Sequence, residues 1–164
     1  PLRGPLPGPP VQPPPDGHAH PVALHLLGVI ARRRGNNTLA VELISKALSF
    51  CFEYADAHSN LGNAYKDLKL NEKAVESYEK AIMINPGHAA AYNNLGVVLQ
   101  DMGMLENARE KYEKALKLKP DYAEAQCNLG IVLCELGKPE AAVNIYLRAL
   151  ALNPDNLIAH NNLA

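Results

Sequence analysis

Residues 91–120 read AYNNLGVVLQDMGMLENAREKYEKALKLKP, and two patterns within them decide the fold. Ala91, Leu95, Val98, Leu99 and Met102 form an apolar stripe at helical spacing. After Gly103 a second stripe runs through Leu105, Ala108, Tyr112, Ala115 and Leu118. Two amphipathic helices of this kind must pack on each other, with the glycine supplying the turn between them.

The pattern repeats outward at an interval of 34 residues. Gly28, Gly62, Gly96 and Gly130 hold the register, each preceded by leucine, and alanines follow at Ala40, Ala74, Ala108 and Ala142 and again at Ala47, Ala81, Ala115 and Ala149. Phe52, Pro86, Pro120 and Pro154 close the units. The small residues permit close helix crossings, and Gly35, Gly103 and Gly137 stand where the chain reverses. Pro139 suits the first turn of its helix, Asn37 and Asn71 are candidate caps, and Glu42–Lys46, Glu76–Lys80 and Glu110–Lys114 are candidate i,i+4 pairs.

A helix-turn-helix unit of this length, with Leu-Gly, then Ala, then Tyr, Ala and Pro, resembles the tetratricopeptide repeat. Tyr78, Tyr112 and Tyr146 fill the aromatic slot of the second helix, and Tyr92 fills the large-aromatic slot of the first. The resemblance implies an all-α fold, a right-handed superhelix (α-solenoid) of antiparallel helix pairs. The units run 21–54, degenerate at Ala31, Ile44 and Phe52, then 55–88, 89–122 and 123–156, with 157–164 opening a fifth. A start without methionine and a stop within a helix read as a fragment of a longer protein.

Residues 1–20 hold eight of the 13 prolines and three of the 11 glycines, a composition that neither forms a hydrogen-bond ladder nor buries a core. A disordered or polyproline-like arm is expected there, as a linker or as a ligand for SH3-type or WW-type domains. The net charge of −1, with no basic run beyond Arg32, Arg33 and Arg34, gives no footprint for nucleic acid or an anionic membrane. Those arginines end the first helix, where they complement its dipole or meet an acidic ligand. Cys51, Cys127 and Cys134 are odd in number and form no CxxC, which implies reduced thiols and a cytoplasmic or nuclear setting. The asparagine of NNT at Asn36 matches a glycosylation sequon, which has no use without secretion.

In such an array the first helix of each pair lines the concave side. The stripe displayed there reads Asp56, Ser59, Asn60, Asn63, Lys66, Asp67 in unit two, and Ala90, Asn93, Asn94, Val97, Gln100, Asp101 in unit three. Unit four gives Glu124, Cys127, Asn128, Ile131, Cys134, Glu135. Asn60, Asn94, Asn128 and Asn162 occupy one slot per unit, although asparagine is a mediocre helix former. First helices about 10 Å apart would meet an extended peptide, rising about 3.3 Å per residue, at every third residue. An amide both donates and accepts, so the row, with Asn63 beside it, can read a peptide backbone; the alternative is that each amide bonds a neighbouring helix within the scaffold.

The steps NNLG and SNLG, the stretches INPGHAAAYNNLG and LKPDYAEAQCNLG, and the opening ALHLLGVIARRRGN resemble the N-terminal repeats of O-GlcNAc transferases and SPINDLY O-fucosyltransferases. In that family the superhelix selects polypeptide substrates ahead of a nucleotide-sugar-dependent catalytic region, and an asparagine ladder holds the acceptor. Asn60, Asn94, Asn128 and Asn162 match that ladder. No catalytic lobe lies within these residues, and a non-enzymatic interaction scaffold is the competing reading.

Other functions find less. A carboxylate clamp for chaperone C termini needs converging lysines and arginine, whereas the corresponding places hold His25, Val29, Ala90 and Asn94, or Ser59, Asn63, Glu124 and Asn128. His18, His20, His25, His58, His88 and His160 never pair at metal-ligand spacing on a helix, and no phosphate loop or nucleophile motif is present, so no catalytic residue, metal or cofactor is implied. His58 and His160 stand in the slot of Tyr92, where helix packing is their expected role.

Overall fold

The computed structural model describes residues 20–163. The expected proline-rich arm, His20 excepted, lies outside the described residues. Nine α-helices follow one another among the described residues: α1 (Pro21–Arg33), α2 (Asn37–Phe50), α3 (Ala55–Asp67), α4 (Asn71–Ile84), α5 (Ala89–Asp101), α6 (Leu105–Leu118), α7 (Ala123–Glu135), α8 (Pro139–Leu152) and α9 (Leu157–Leu163). Each odd helix packs most widely on the even helix that follows, and each even helix on the next odd one. The result is an α-solenoid of antiparallel pairs. Consecutive first helices also touch directly, α1 with α3, α3 with α5 and α5 with α7, so they lie side by side along one face.

The repeated glycine has a steric cause. A Cβ at Gly62 would stand 2.7 Å from Tyr78 Cε1, and one at Gly96 would stand 2.6 Å from Tyr112 Cε1, far inside van der Waals contact. Tyr78 and Tyr112 are fully buried, so the ring cannot step aside. Gly130 and Tyr146 repeat the lock, while in unit one Ile44 lies over Gly28. The tyrosines join a continuous core from α4 to α9. Where isoleucine takes the ring's place, the packing breaks into smaller clusters around Ile44 and Leu61 and around Ala31 and Ala64.

The turns inside the pairs use Gly35, Gly103 and Gly137 at φ of 80°, 76° and 71°. Lys69 occupies the same place in unit two at φ 60°, a left-handed conformation unfavourable for a residue with a Cβ. The local bonds recur with it: Asn36, Leu70, Met104 and Lys138 donate their N–H groups to Ala31, Tyr65, Leu99 and Leu133. This is the 6→1 bond of a Schellman cap.

Two details differ from the sequence expectation. The cap of α2 is Asn36, whose Oδ1 accepts from Leu39 N at 3.2 Å; Asn37 is the first helical residue, and α4 begins after Leu70, which has no capping side chain. Asn37 and Asn71 thus sit one step inside the helix, where the side-chain oxygen has no hydrogen-bond partner. The three candidate Glu–Lys pairs also do not close within 4 Å. Arg109 instead meets Glu106 at 2.8 Å and Glu113 at 3.2 Å, and Lys138 reaches Glu106 across units at 3.1 Å. Exposed lysine loses about as much side-chain entropy as such a pair returns. Pro139 is at the first position of α8 as expected.

Candidate functional site

The stripe shared by the first helices is stitched from unit to unit by polar side chains. Asn60 Nδ2 donates to His25 Nε2 at 2.8 Å, Asn128 Nδ2 to Asn93 Oδ1 at 3.0 Å, and Asn162 Nδ2 to Cys127 Sγ at 3.7 Å. Each of these bonds spans 35 residues, because the donor stands one position past the repeat of its acceptor. Asn94 breaks the rule. Its expected acceptor position holds Ser59, too short to reach, so Asn94 Nδ2 turns to Asn63 Oδ1 at 3.0 Å. Asn63 has no counterpart in the other units, where Val29, Val97 and Ile131 occupy the position.

The amides differ in what they retain. Asn63 Oδ1 accepts from both Asn94 and the Tyr78 hydroxyl, at 2.8 Å for the latter, so the oxygen is saturated. Asn93 is fully buried, accepting from Asn128 and donating to Glu124 Oε1 at 3.2 Å. Asn60, Asn94 and Asn128 are half-buried and Asn162 is exposed. Each of these four spends one N–H on its neighbour. A primary amide has two N–H donors and two lone pairs, so each keeps a donor and acceptor capacity, with its plane set by the bond already made.

His25 explains how the ladder starts. Its Nε2 accepts from Asn60, which leaves the proton on Nδ1, 2.9 Å from the Tyr54 hydroxyl. Burial depresses its pKa below the ordinary imidazole value, against an opposing pull from Asp56. The ring is therefore neutral at pH 7. His58 is also held low, by burial first and by Lys80 last, with the bond to Phe52 O pulling upward. It packs edge-on to Phe52, and its Nε2 donates to the Phe52 carbonyl at 2.9 Å. Gln126 and His160 repeat that bond to Pro120 and Pro154, six residues back in each case. Where the first-helix slot holds His58, Gln126 or His160 it thus fastens the loop between units, a role beyond simple packing that the polar residues in an aromatic position could have signalled.

Along α3, α5 and α7 the stripe carries five carboxylates, Asp56, Asp67, Asp101, Glu124 and Glu135, and one cation, Lys66. Asp67 is paired with Arg32 at 2.8 Å, which gives that arginine a partner within the scaffold. Arg32 and Arg33 also lie in the last turn of α1, where they complement the dipole. The three cysteines are free, and burial raises the Cys127 thiol pKa. Among the described residues no three metal-ligating side chains converge, and no helix is long and apolar enough to cross a membrane.

Paired helices stacked by a glycine–tyrosine lock, with a continuous face of first helices, define a helical-repeat interaction scaffold. The tetratricopeptide repeat family matches residues 55–88 and 87–155, and across these residues the chain belongs to that family. No curated protein gives a significant sequence match. Among solved structures, two of MamA are similar, at TM-scores of 0.76 and 0.74 and 29% identity. Both alignments cover 80% of this chain, and they cover 77% and 72% of the respective MamA chains. The first tetratricopeptide array of Spaghetti (RPAP3), bound to the HSP90 peptide SRMEEVD, superposes at a TM-score of 0.70 over 71% of this chain and 93% of its own, with 24% identity.

Proposed function

We propose that the chain binds an extended polypeptide along the face of its first helices, and that Asn60, Asn94, Asn128 and Asn162 read the peptide backbone. The observation that carries this is the row of amides, one per unit, each oriented by a bond to the preceding unit and each with a spare N–H. Asn63, with its oxygen saturated, contributes an N–H alone. The carboxylates along the same stripe favour neutral or basic segments. A peptide as acidic as the one on the RPAP3 array would meet four carboxylates outside the Arg32–Asp67 pair here, against Lys66 alone. Isotope-labelled chain titrated with a neutral 15-residue Ser/Thr/Val peptide should show shifts concentrated on α3, α5 and α7; shifts confined to α4, α6 and α8 would refute this placement.

The finer assignment is the substrate-selecting region of a nucleotide-sugar-dependent protein O-glycosyltransferase, working in cytoplasm or nucleus. What supports it is the likeness of the NNLG and SNLG steps and the asparagine spacing. The chain added in excess to an O-GlcNAc transferase reaction should then compete for acceptor polypeptide and slow its modification. Undiminished modification would leave the array as a scaffold without that role.

A further inference from the structure

The second helices leave a separate feature on another face of the array. At the junction of units three and four, a cleft of about 570 Å³ opens between α6 and α8, floored by α7. Leu116, Leu129, Leu133, Ala141 and Ile145 form its apolar base. Four cations stand around it, Arg109, Lys117, Lys138 and Arg148, against one lining carboxylate, Glu113. Leu129 and Leu133 lie roughly 100° or more around α7 from Asn128 and Ile131, so this surface is not the asparagine stripe.

Comparison along the repeat shows that the scaffold does not require these residues. One unit earlier, Ala141 and Ile145 correspond to Asn107 and Lys111, and Arg109, Lys117 and Lys138 correspond to Val75, Met83 and Met104. The same fold is therefore built there with two floor positions polar and three rim positions apolar, while Ile82, Leu95, Leu99 and Lys114 keep the character of Leu116, Leu129, Leu133 and Arg148. At units three and four those five positions change character together. Glu106 holds Arg109 and Lys138 at the rim, at 2.8 Å and 3.1 Å. Lys117 and Arg148 are exposed. Counting Glu106 with the lining groups leaves an excess of positive charge, opposite in sign to the first-helix stripe.

We propose that this outer cleft is a second docking site, for an acidic segment of a partner protein that carries two or three aliphatic side chains. The charge complementarity selects the acidic segment, and the leucine and isoleucine floor selects its apolar anchors. The occupant of the first-helix face is of the opposite preference, so one array can hold two partners at once.

The test is fluorescence anisotropy of the whole chain with labelled EDLLEEIFDE, with EDSSEESSDE and KKLLKKIFKK as controls. Saturable binding of the first peptide is expected, at least tenfold tighter than either control. The double variant Ala141→Asn/Ile145→Lys installs residues that unit three already carries at those positions, and should weaken binding at least tenfold with helicity retained. Lys117→Glu/Arg148→Glu alters exposed charges and should do the same even if the floor variant misfolds. Lys66→Glu, on the other face, should leave this affinity unchanged. Absent saturation, binding by both double variants as tight as by the native chain, or tighter binding of a 12-nucleotide single-stranded DNA would overturn the proposal.

Discussion

The seam inside a unit and the seam between first helices are built to different rules. Inside units two to four, a glycine lies under a buried tyrosine each time, because the space at the crossing admits one shape. In the recurring slot between first helices the donor is asparagine each time, but its acceptor is a histidine, an asparagine from either of two positions, or a cysteine. Close packing restricts exchange, so that the core divides where Ile44 replaces the ring, whereas a half-exposed polar seam takes acceptors of several kinds, provided they reach the amide. Variation can therefore enter the first-helix face without disturbing the fold.

The sharpest way to break this contrast is at the glycine–tyrosine lock. Tyr112→Ala should cost about 3–5 kcal/mol in chemical denaturation, as for other buried aromatic residues. Gly96→Ala should cost about 1–3 kcal/mol by overpacking, although alanine is the better helix former. A stabilised Gly96→Ala protein would show that the crossing is looser than the Tyr112 contact implies.

The polar seam should yield smaller and unequal effects. Asn128→Ala strands the oxygen of fully buried Asn93 and should cost about 1–3 kcal/mol. Asn94→Ala leaves Asn63 still bonded to Tyr78 and should cost about 0.5–1.5 kcal/mol. Equal losses in a denaturant series would mean that the acceptors do not matter. At the Lys69 turn the sign reverses: Lys69→Gly should stabilise by about 1 kcal/mol through relief of a left-handed residue, in the same assay.

Acid should act through the two histidines with depressed pKa values. The unfolded chain takes up protons at His25 and His58 as pH falls below about 6.5, before the folded chain does. Their contribution is complete above that pH and is lost as pH falls toward the folded-state values. The Tm should drop between pH 7.5 and 5.5, and His58→Gln should shrink the drop, since Gln126 makes the same carbonyl bond in unit four. An unchanged drop would place the acid sensitivity elsewhere.

The fold could be read from the period because glycine, alanine and tyrosine are dictated by shape, and shape repeats every unit. Local ends were less readable: Asn36 and Asn37 are adjacent asparagines, and only the backbone decides which one caps. Lys69 gave no signal, since the turn it occupies is written with glycine in the other units. The donors of the ladder stood out as Asn60, Asn94, Asn128 and Asn162, but their acceptors did not. His25, Asn93 and Cys127 share a position without sharing a residue type, and the detour of Asn94 to Asn63 follows from the shortness of Ser59. Chemistry that varies along a repeat is invisible to a search for the repeat.

Whether the asparagine row reads peptide backbone is most directly measured by comparing a neutral extended peptide with its backbone N-methylated analogue, on the native chain and on Asn60→Ala/Asn94→Ala/Asn128→Ala. Methylation removes the N–H groups that the amide oxygens would accept and leaves the side chains in place. On the native chain each lost bond should weaken binding by about 0.5–1.5 kcal/mol, approaching a hundredfold for three. On the folded fraction of the triple variant the two peptides should bind almost equally and weakly. An affinity on the native chain that methylation does not change, or a methylation loss that persists in full on the triple variant, would contradict backbone recognition and leave the asparagines as inter-unit ties alone.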